Sequence, residues 1–234
     1  MSGFFITGTD TEIGKTFVSA LLIKFFAEKG YKVAGMKPVA SGADKVDGVL
    51  QNEDALSLMQ ASNIELDYKT VNPYTFVPAV SPHIAAEQAG VEVEHDVIKD
   101  NYNKLQQAAD IVVVEGVGGW YAPISCHTTV ADLAESMQLP IILVVGLRLG
   151  CLNHALLTAQ ALRQSGLTVA GWIANHIEED FSSAEKNIST LKHYLNDFPY
   201  LGSIPFDSND LTTSNDTLKL QNLHNANVLI EKYL

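Results

Sequence analysis

The sequence predicts an α/β fold: a single domain built on a doubly wound, mostly parallel sheet with helices on both faces. Three observations carry that expectation. Apolar runs of strand length alternate with helical patterns along the chain. Most of those runs are unbroken and β-branched rather than alternating, as strands buried on both faces require. The length of 234 residues fits one large domain better than two small ones.

Each element has its own reason. Residues 4–7 open the sheet, and a helix follows with Val18, Leu21, Leu22 and Phe25 on one face, stopping at Gly30. Residues 33–39 form the next strand, and 53–61, 82–89 and 96–108 read as helices. The strand 111–115 leads to a helix over 130–137 and a strand over 141–146. Leu152, Ala155, Leu156, Ala159 and Leu162 mark a helix that stops at Gly166. A strand at 169–174, a helix at 184–195 and a strand at 201–204 complete the pattern, and the polar stretch 207–217 reads as a surface loop.

Composition excludes several classes. The net charge of −12 leaves no basic stripe for nucleic acid. It does not exclude an anionic nucleotide. Charges beyond ~10 Å are largely screened, whereas one lysine at ~4 Å contributes about 4 kcal/mol at an effective dielectric near 20. Lys15 and Lys37 can therefore outweigh a diffuse acidic surface. The longest apolar stretch, residues 140–147, is far short of the ~20 residues that span a bilayer. No basic segment followed by an apolar one marks a signal peptide. The two cysteines, Cys126 and Cys151, lack metal-type spacing, so a reducing, cytoplasmic setting is expected. The histidines show no metal-ligand spacing either, and His154 reads as a packing or hydrogen-bonded residue.

The strand Phe4-Phe5-Ile6 runs into Gly8-Thr9-Asp10-Thr11-Glu12-Ile13-Gly14-Lys15-Thr16, and a helical pattern begins at once. Strand, Gly-rich loop, Gly-Lys-Thr and helix is the layout of a phosphate-binding loop. Loop amides and the positive end of the helix would face the phosphates. Lys15 would reach the β/γ-phosphates, and the Thr16 hydroxyl would ligate Mg²⁺. One spacing is unusual: the residue five before Gly14 is Thr9, and Gly8 stands one place too early. A left-handed Thr9 would cost on the order of 1–2 kcal/mol, so the loop is expected to start from another backbone shape.

Ligands of doubly wound sheets lie beyond the carboxyl ends of the strands. Glu115 closes an apolar strand ahead of Gly116-Val117-Gly118-Gly119 and is expected to hold Mg²⁺, the other reading being a capping carboxylate. Lys37, followed by Pro38-Val39-Ala40-Ser41-Gly42, is either a cation for a phosphoryl or carboxylate group or an exposed lysine before a turn. Asp54 opens a helix, where capping is the default role on pattern alone.

These residues together resemble the dethiobiotin synthetase family. The resemblance rests on the loop Gly8 to Thr16, on Lys37-Pro38-Val39-Ala40-Ser41-Gly42, on Asn72-Pro73-Tyr74-Thr75-Phe76 and on Ser81-Pro82-His83. It continues in Val114-Glu115-Gly116-Val117-Gly118-Gly119-Trp120, Leu149-Gly150-Cys151-Leu152-Asn153-His154 and Gly171-Trp172-Ile173-Ala174-Asn175, in the family's order over residues 4–206. The odd loop spacing is the family's own form. The segment 176–187 and the tail after Phe206 depart from the family's pattern.

The resemblance implies a reaction of ATP, CO₂ and 7,8-diaminopelargonic acid, with Mg²⁺, in a homodimer whose active site lies at the interface. It implies that Lys15 and Lys37 neutralise the transferring group, that Thr11 and Ser41 hold a carbamate, and that Thr16, Asp54 and Glu115 surround the metal. That reverses the capping expectation for Asp54. It places Glu12, Ile13, Gly14, Lys15, Thr16 and Phe17 on the ATP phosphates, with Asp54, Glu115, Gly116, Val117 and Gly118 beside them. Asn175 would read the adenine, with His176 and the turn Ile204-Pro205-Phe206. Gly150, Cys151 and Asn153 would take the substrate carboxylate on the partner subunit.

Other readings share the fold. Switch ATPases of the partitioning or septum-positioning type carry an additional lysine early in the phosphate loop, and this loop opens Gly8-Thr9. Many end in a basic amphipathic helix, whereas residues 218–234 contain only Lys219 and Lys232. The amidating synthases of cobalamin synthesis carry a glutaminase domain for which this chain has no room. In a plain nucleotide-binding module, Lys37 and Ser41 would lack a purpose.

Overall fold

The structure, a computed structural model, describes residues 3–206 and 223–234. The surface loop expected at 207–217 lies outside the described residues. The main sheet holds β1 (Gly3–Gly8), β2 (Val33–Met36), β7 (Ile111–Glu115), β8 (Ile141–Leu147), β9 (Val169–His176) and β10 (Tyr200–Ile204), in the order β10-β9-β8-β1-β7-β2. Every pairing in it is parallel. Alternate residues of one strand face opposite layers. Phe5 packs with Val112, Val114, Leu143 and Val145 on one side. Phe4 and Ile6 pack with Val113, Ile142 and Val144 on the other. Both faces are thus apolar, which is why the strand runs are unbroken.

Helices cover the two layers. Val18, Leu21, Leu22, Phe25 and Phe26 of α1 (Lys15–Glu28) fill one, together with Leu229 of the C-terminal helix Asn227–Tyr233. The opposite layer takes Ile98, Tyr102 and Leu105 of α5 (His95–Ala108), Leu133 of α6 (Val130–Met137), Ala155, Ala159 and Leu162 of α7 (Cys151–Gln164), and Ile188 and Leu191 of α8 (Ala184–Tyr194). The C-terminal helix shows no signal in the sequence pattern.

One expected strand is divided. Residues 33–39 are two elements, β2 and β3 (Val39–Ser41), broken at Lys37-Pro38. Pro38 has no amide to continue a ladder. The chain leaves the main sheet there, and β3 pairs in parallel with β6 (Tyr74–Phe76). A hairpin of β4 (Asp44–Val46) and β5 (Val49–Gln51) follows, turning at Asp47-Gly48 with both residues at positive φ. Next come α2 (Glu53–Ala61), the short α3 (Tyr68–Val71) and α4 (Pro82–Ala89).

The topology sets up the site. β1 lies between β8 and β7, and β2 flanks β7. Ile6 is level with Glu115, and Met36 with Val114. The loop after β1, the carboxylate ending β7 and the lysine after β2 therefore emerge side by side.

Candidate active site

The phosphate loop is built from both ends. Ile13 is its buried anchor, and two glycines make room for it. A Cβ on Gly8 would stand 2.6 Å from Ile13 Cδ1 and 3.0 Å from Lys15 Cδ, and one on Gly146 would stand 2.7 Å from Ile13 Cβ. Gly8, one place early, clears space for these side chains. Thr9 is not left-handed; the positive φ angles fall at Glu12 (56°) and Gly14 (79°). Asn175 Nδ2 donates to the Ile13 carbonyl at 2.9 Å and pins the loop from β9. The N-cap residue of α1, Gly14, offers no side-chain cap, and the first turn holds no acidic residue. The positive end of the helix therefore faces an anion seated in the loop.

Four side chains meet above the strand ends. Lys37 is 2% exposed and Glu115 1% exposed. Lys37 Nζ donates to Glu115 Oε1 at 2.6 Å and to the Gly116 carbonyl at 3.2 Å, and lies 3.1 Å from Asp54 Oδ2. Thr16 Oγ1 donates to Glu115 Oε1 at 2.8 Å. Lys37 is therefore no exposed turn lysine. Burial works against its charge, but the Glu115 and Asp54 carboxylates outweigh burial and raise its pKa. Burial, aided by neighbouring Lys37, brings the Lys15 pKa down to about 8. At Asp54 burial opposes ionisation, yet Lys37 and Thr16 hold the carboxyl below its ordinary range.

Asp54 does not cap its helix. Asn52 does, its Oδ1 accepting from the amides of Asp54 and Ala55 at 3.1 and 3.3 Å. That leaves the Asp54 carboxylate turned to Lys37. Asn72 supports the same corner, donating to the Lys37 carbonyl at 2.6 Å and accepting from Tyr68 and Thr75 hydroxyls, both at 2.8 Å.

Two cavities share this corner. One, of about 430 Å³, is lined by Glu12, Gly14, Lys15, Thr16, Phe17, Lys37, Asp54 and Glu115, with Thr11, Ser41, Val117 and Gly118. The other, of about 470 Å³, shares Thr11, Glu12, Ser41, Val117 and Gly118 and is otherwise bounded by Ala79, Val80, Ser81, Pro82, Ala122 and Pro123. A third, of about 340 Å³, is lined by His83, Glu87, Cys126 and His127 among others and holds no lysine or arginine to take a phosphate.

The remaining expected residues divide. The Ile13 side chain faces the protein, so only its backbone is available to a ligand. Gly116 packs against Phe5 and Val130 rather than lining either shared cavity. Ile204 is level with Asn175 at the sheet end, His176 Nε2 lies 3.3 Å from Ser203 Oγ, and Phe206 is exposed. Gly150, Cys151 and Asn153 start α7 and line neither cavity; Cys151 is buried and Asn153 exposed. Residue patterns gave no role to Asp10 or Asn72, though both lie in segments that carry the resemblance, and did not touch Arg148. The clue to Arg148 was its place just beyond β8, the strand beside β1.

A phosphate loop, a buried strand-end carboxylate and a doubly wound parallel sheet define a nucleotide-binding protein of P-loop NTPase type. The fold is close to the MinD cell division protein of Aquifex aeolicus, with a TM-score of 0.62 at 14% identity, covering 100% of this chain and 99% of that one. A ParA family ATPase from Chlorobium tepidum TLS matches with a TM-score of 0.55 at 13% identity over 99% of this chain and 92% of that one. At such identities the likeness shows the fold alone. A family model described as an AAA domain (AAA_26) matches residues 2–213. ATP-dependent dethiobiotin synthetase BioD 1 of Escherichia coli (strain K12) is 48% identical over 203 residues, 87% of this chain and 90% of that protein. ATP-dependent dethiobiotin synthetase BioD of Pseudoalteromonas translucida (strain TAC 125) is 45% identical over 222 residues, 94% of each. The chain belongs to the ATP-dependent dethiobiotin synthetase family.

Proposed function

We propose that this protein closes 7,8-diaminopelargonic acid with CO₂ to dethiobiotin at the expense of ATP, in biotin biosynthesis. One observation carries the reading: the two cavities meet at Thr11 and Ser41, with Lys37 buried beside them. The first has the phosphate loop and two lysines, as a nucleotide triphosphate requires. The second is largely apolar, with Ala79, Val80, Pro82, Ala122 and Pro123, and suits a methylene chain.

One amine of the diamine adds to CO₂, losing a proton and giving a carbamate. The carbamate oxygen takes the γ-phosphoryl group of ATP, releasing ADP. The second amine attacks the mixed anhydride at carbon, a proton is lost, and phosphate leaves as the cyclic urea closes. Phosphoryl transfer between two anions demands fixed cations more than a covalent nucleophile. Lys15 takes the β/γ-phosphates, and Lys37 the carbamate and the transferring group. Thr11 and Ser41 orient the carbamate, and the phosphate loop with the positive end of α1 holds phosphate oxygens. Asn175, His176 and the turn 204–206 serve the adenine.

The residues present suit Mg²⁺. Among the described residues Glu115 Oε2 is buried without a hydrogen-bond partner, and the Thr16 hydroxyl and Asp54 carboxylate stand at the same corner. Among the described residues there is no cluster of three His, Cys, Asp or Glu able to hold a metal, and Mg²⁺ would draw its other ligands from waters and phosphate oxygens. Thr16, Asp54 and Glu115 would hold the ion, which supplies charge neutralisation of the β/γ-phosphates. Gly150, Cys151 and Asn153 reach a substrate carboxylate only across a homodimer interface, which agrees with their place outside both cavities. Among the described residues no helix is long and apolar enough to cross a membrane. The enzyme proposed is cytoplasmic and acts on small molecules, and the net charge of −12 disfavours nucleic acid.

The test is ADP release with each component withheld in turn. It should require both the diamine and bicarbonate. Turnover indifferent to the diamine but stimulated by DNA or a protein partner would instead support a switch ATPase.

A further inference from the structure

The two halves of the phosphate loop are held differently. The trailing half is packed: Ile13 is buried on Gly8 and Gly146, and its carbonyl is pinned by Asn175. The leading half, Asp10-Thr11, has little packing, and Thr11 is exposed. It is held by polar contacts that converge on Asp10. Asp10 Oδ1 accepts from the Thr11 amide at 2.8 Å. Asp10 Oδ2 accepts from the Arg148 guanidinium, and His154 Nδ1 lies 3.7 Å from the same oxygen. The Asp10 carbonyl accepts from Lys15 Nζ at 2.7 Å.

Nucleotide binding changes that balance. A Lys15 side chain directed to the β/γ-phosphates shares its three N–H donors between them and the Asp10 carbonyl. The leading half then leans more on the side-chain contact to Arg148. Arg148 is itself fixed, since its carbonyl accepts from the Cys151 amide at 3.1 Å where α7 begins. Among the described cationic side chains, Arg148 is the one paired with Asp10 through its guanidinium, and it lines neither shared cavity.

We infer that Arg148, acting through Asp10, is a positioning residue that holds Thr11 against the carbamate while Lys15 is engaged by ATP. The inference rests on the role given to Thr11 above. Arg148 does not touch the substrate. The pair is half-exposed, so its contribution to overall stability is small. Its effect is geometric, and a misplacement of about 1 Å can cost on the order of 10²-fold in rate.

Steady-state kinetics separate this role from a structural one. Arg148→Ala should lower kcat about tenfold while KM for ATP stays within about twofold, because the packed half of the loop still binds phosphate. Arg148→Lys should restore most of kcat, and Asp10→Asn combined with Arg148→Ala should be no worse than the poorer single variant. Hydrogen exchange of residues 9–13 with Mg²⁺ and ATP bound should be faster in Arg148→Ala, at an unchanged melting temperature. An unchanged kcat, or additive losses in the double variant, overturns the inference. Wild-type protein inactive toward the diamine would instead overturn the proposed function. The exchange measurement, made with ATP alone, then decides the bridge: faster loop exchange upholds it and unchanged exchange refutes it.

Discussion

Gly146 and Lys37 show how single positions set the site. A Cβ on Gly146 would press on Ile13 Cβ and Cγ2 at 2.7 Å, and the anchor cannot yield without moving the loop. Gly146→Ala should cost about 1–3 kcal/mol of stability through overpacking and weaken ATP binding in calorimetric titration. Unchanged ATP affinity would mean that the loop is not seated on this glycine. Lys37 is the buried counter-charge of Glu115 and Asp54. Lys37→Ala should lower turnover by orders of magnitude and leave Glu115 buried without a cation, a loss of about 3 kcal/mol in denaturant unfolding. Near-normal turnover would remove Lys37 from the chemistry. Lys37, Glu115 and Thr16 were legible because each ends a strand or opens a helix in a known pattern. The Asp10–Arg148 bridge was not, because its partners are 138 residues apart and meet only through the order of strands.

At the element level, helices with strong periodicity are where the sequence placed them: 53–61, 82–89 and 130–137 match at both ends. The misses have local causes. Pro38 splits the expected strand 33–39 and sends the chain to β6. The hairpin of β4 and β5 is short, and all of β4 is exposed, so it carries little apolar pattern. Its signal was the Asp47-Gly48 pair. The start of α6 allows a test. Thr129 Oγ1 accepts from the Asp132 amide, and Asp132 Oδ2 accepts from the Thr129 amide at 2.7 Å. The Thr129 hydroxyl, before any other group, holds the Asp132 carboxyl below its ordinary range. A depressed carboxylate pKa stabilises the fold above the unfolded pKa of about 4, and that contribution is lost as pH falls through the lower folded value. Thr129→Ala should therefore cost about 1 kcal/mol at neutral pH and less in acid. An equal loss at both, in urea unfolding, would contradict the capping box.

For the whole molecule, the site is a consequence of strand order. Placing β1 between β8 and β7, with β2 beyond, brings a loop, a carboxylate and a lysine from three parts of the chain to one edge. The class of fold and the nucleotide site could be read from runs and strand ends. What the acceptor is could not, since an apolar cavity assembled from residues 79–82 and 122–123 has no one-dimensional signature. The family resemblance gave the acceptor, and the adjoining cavities give it a physical basis. Phosphoryl transfer to a carbamate is placed where those cavities meet. The most direct measurement is the fate of oxygen from ¹⁸O-labelled CO₂ during turnover with ATP and the diamine. Label should appear in the released inorganic phosphate, carried over from the carbamate oxygen, and none in ADP. Inorganic phosphate free of label, formed alongside the cyclic urea, would contradict it.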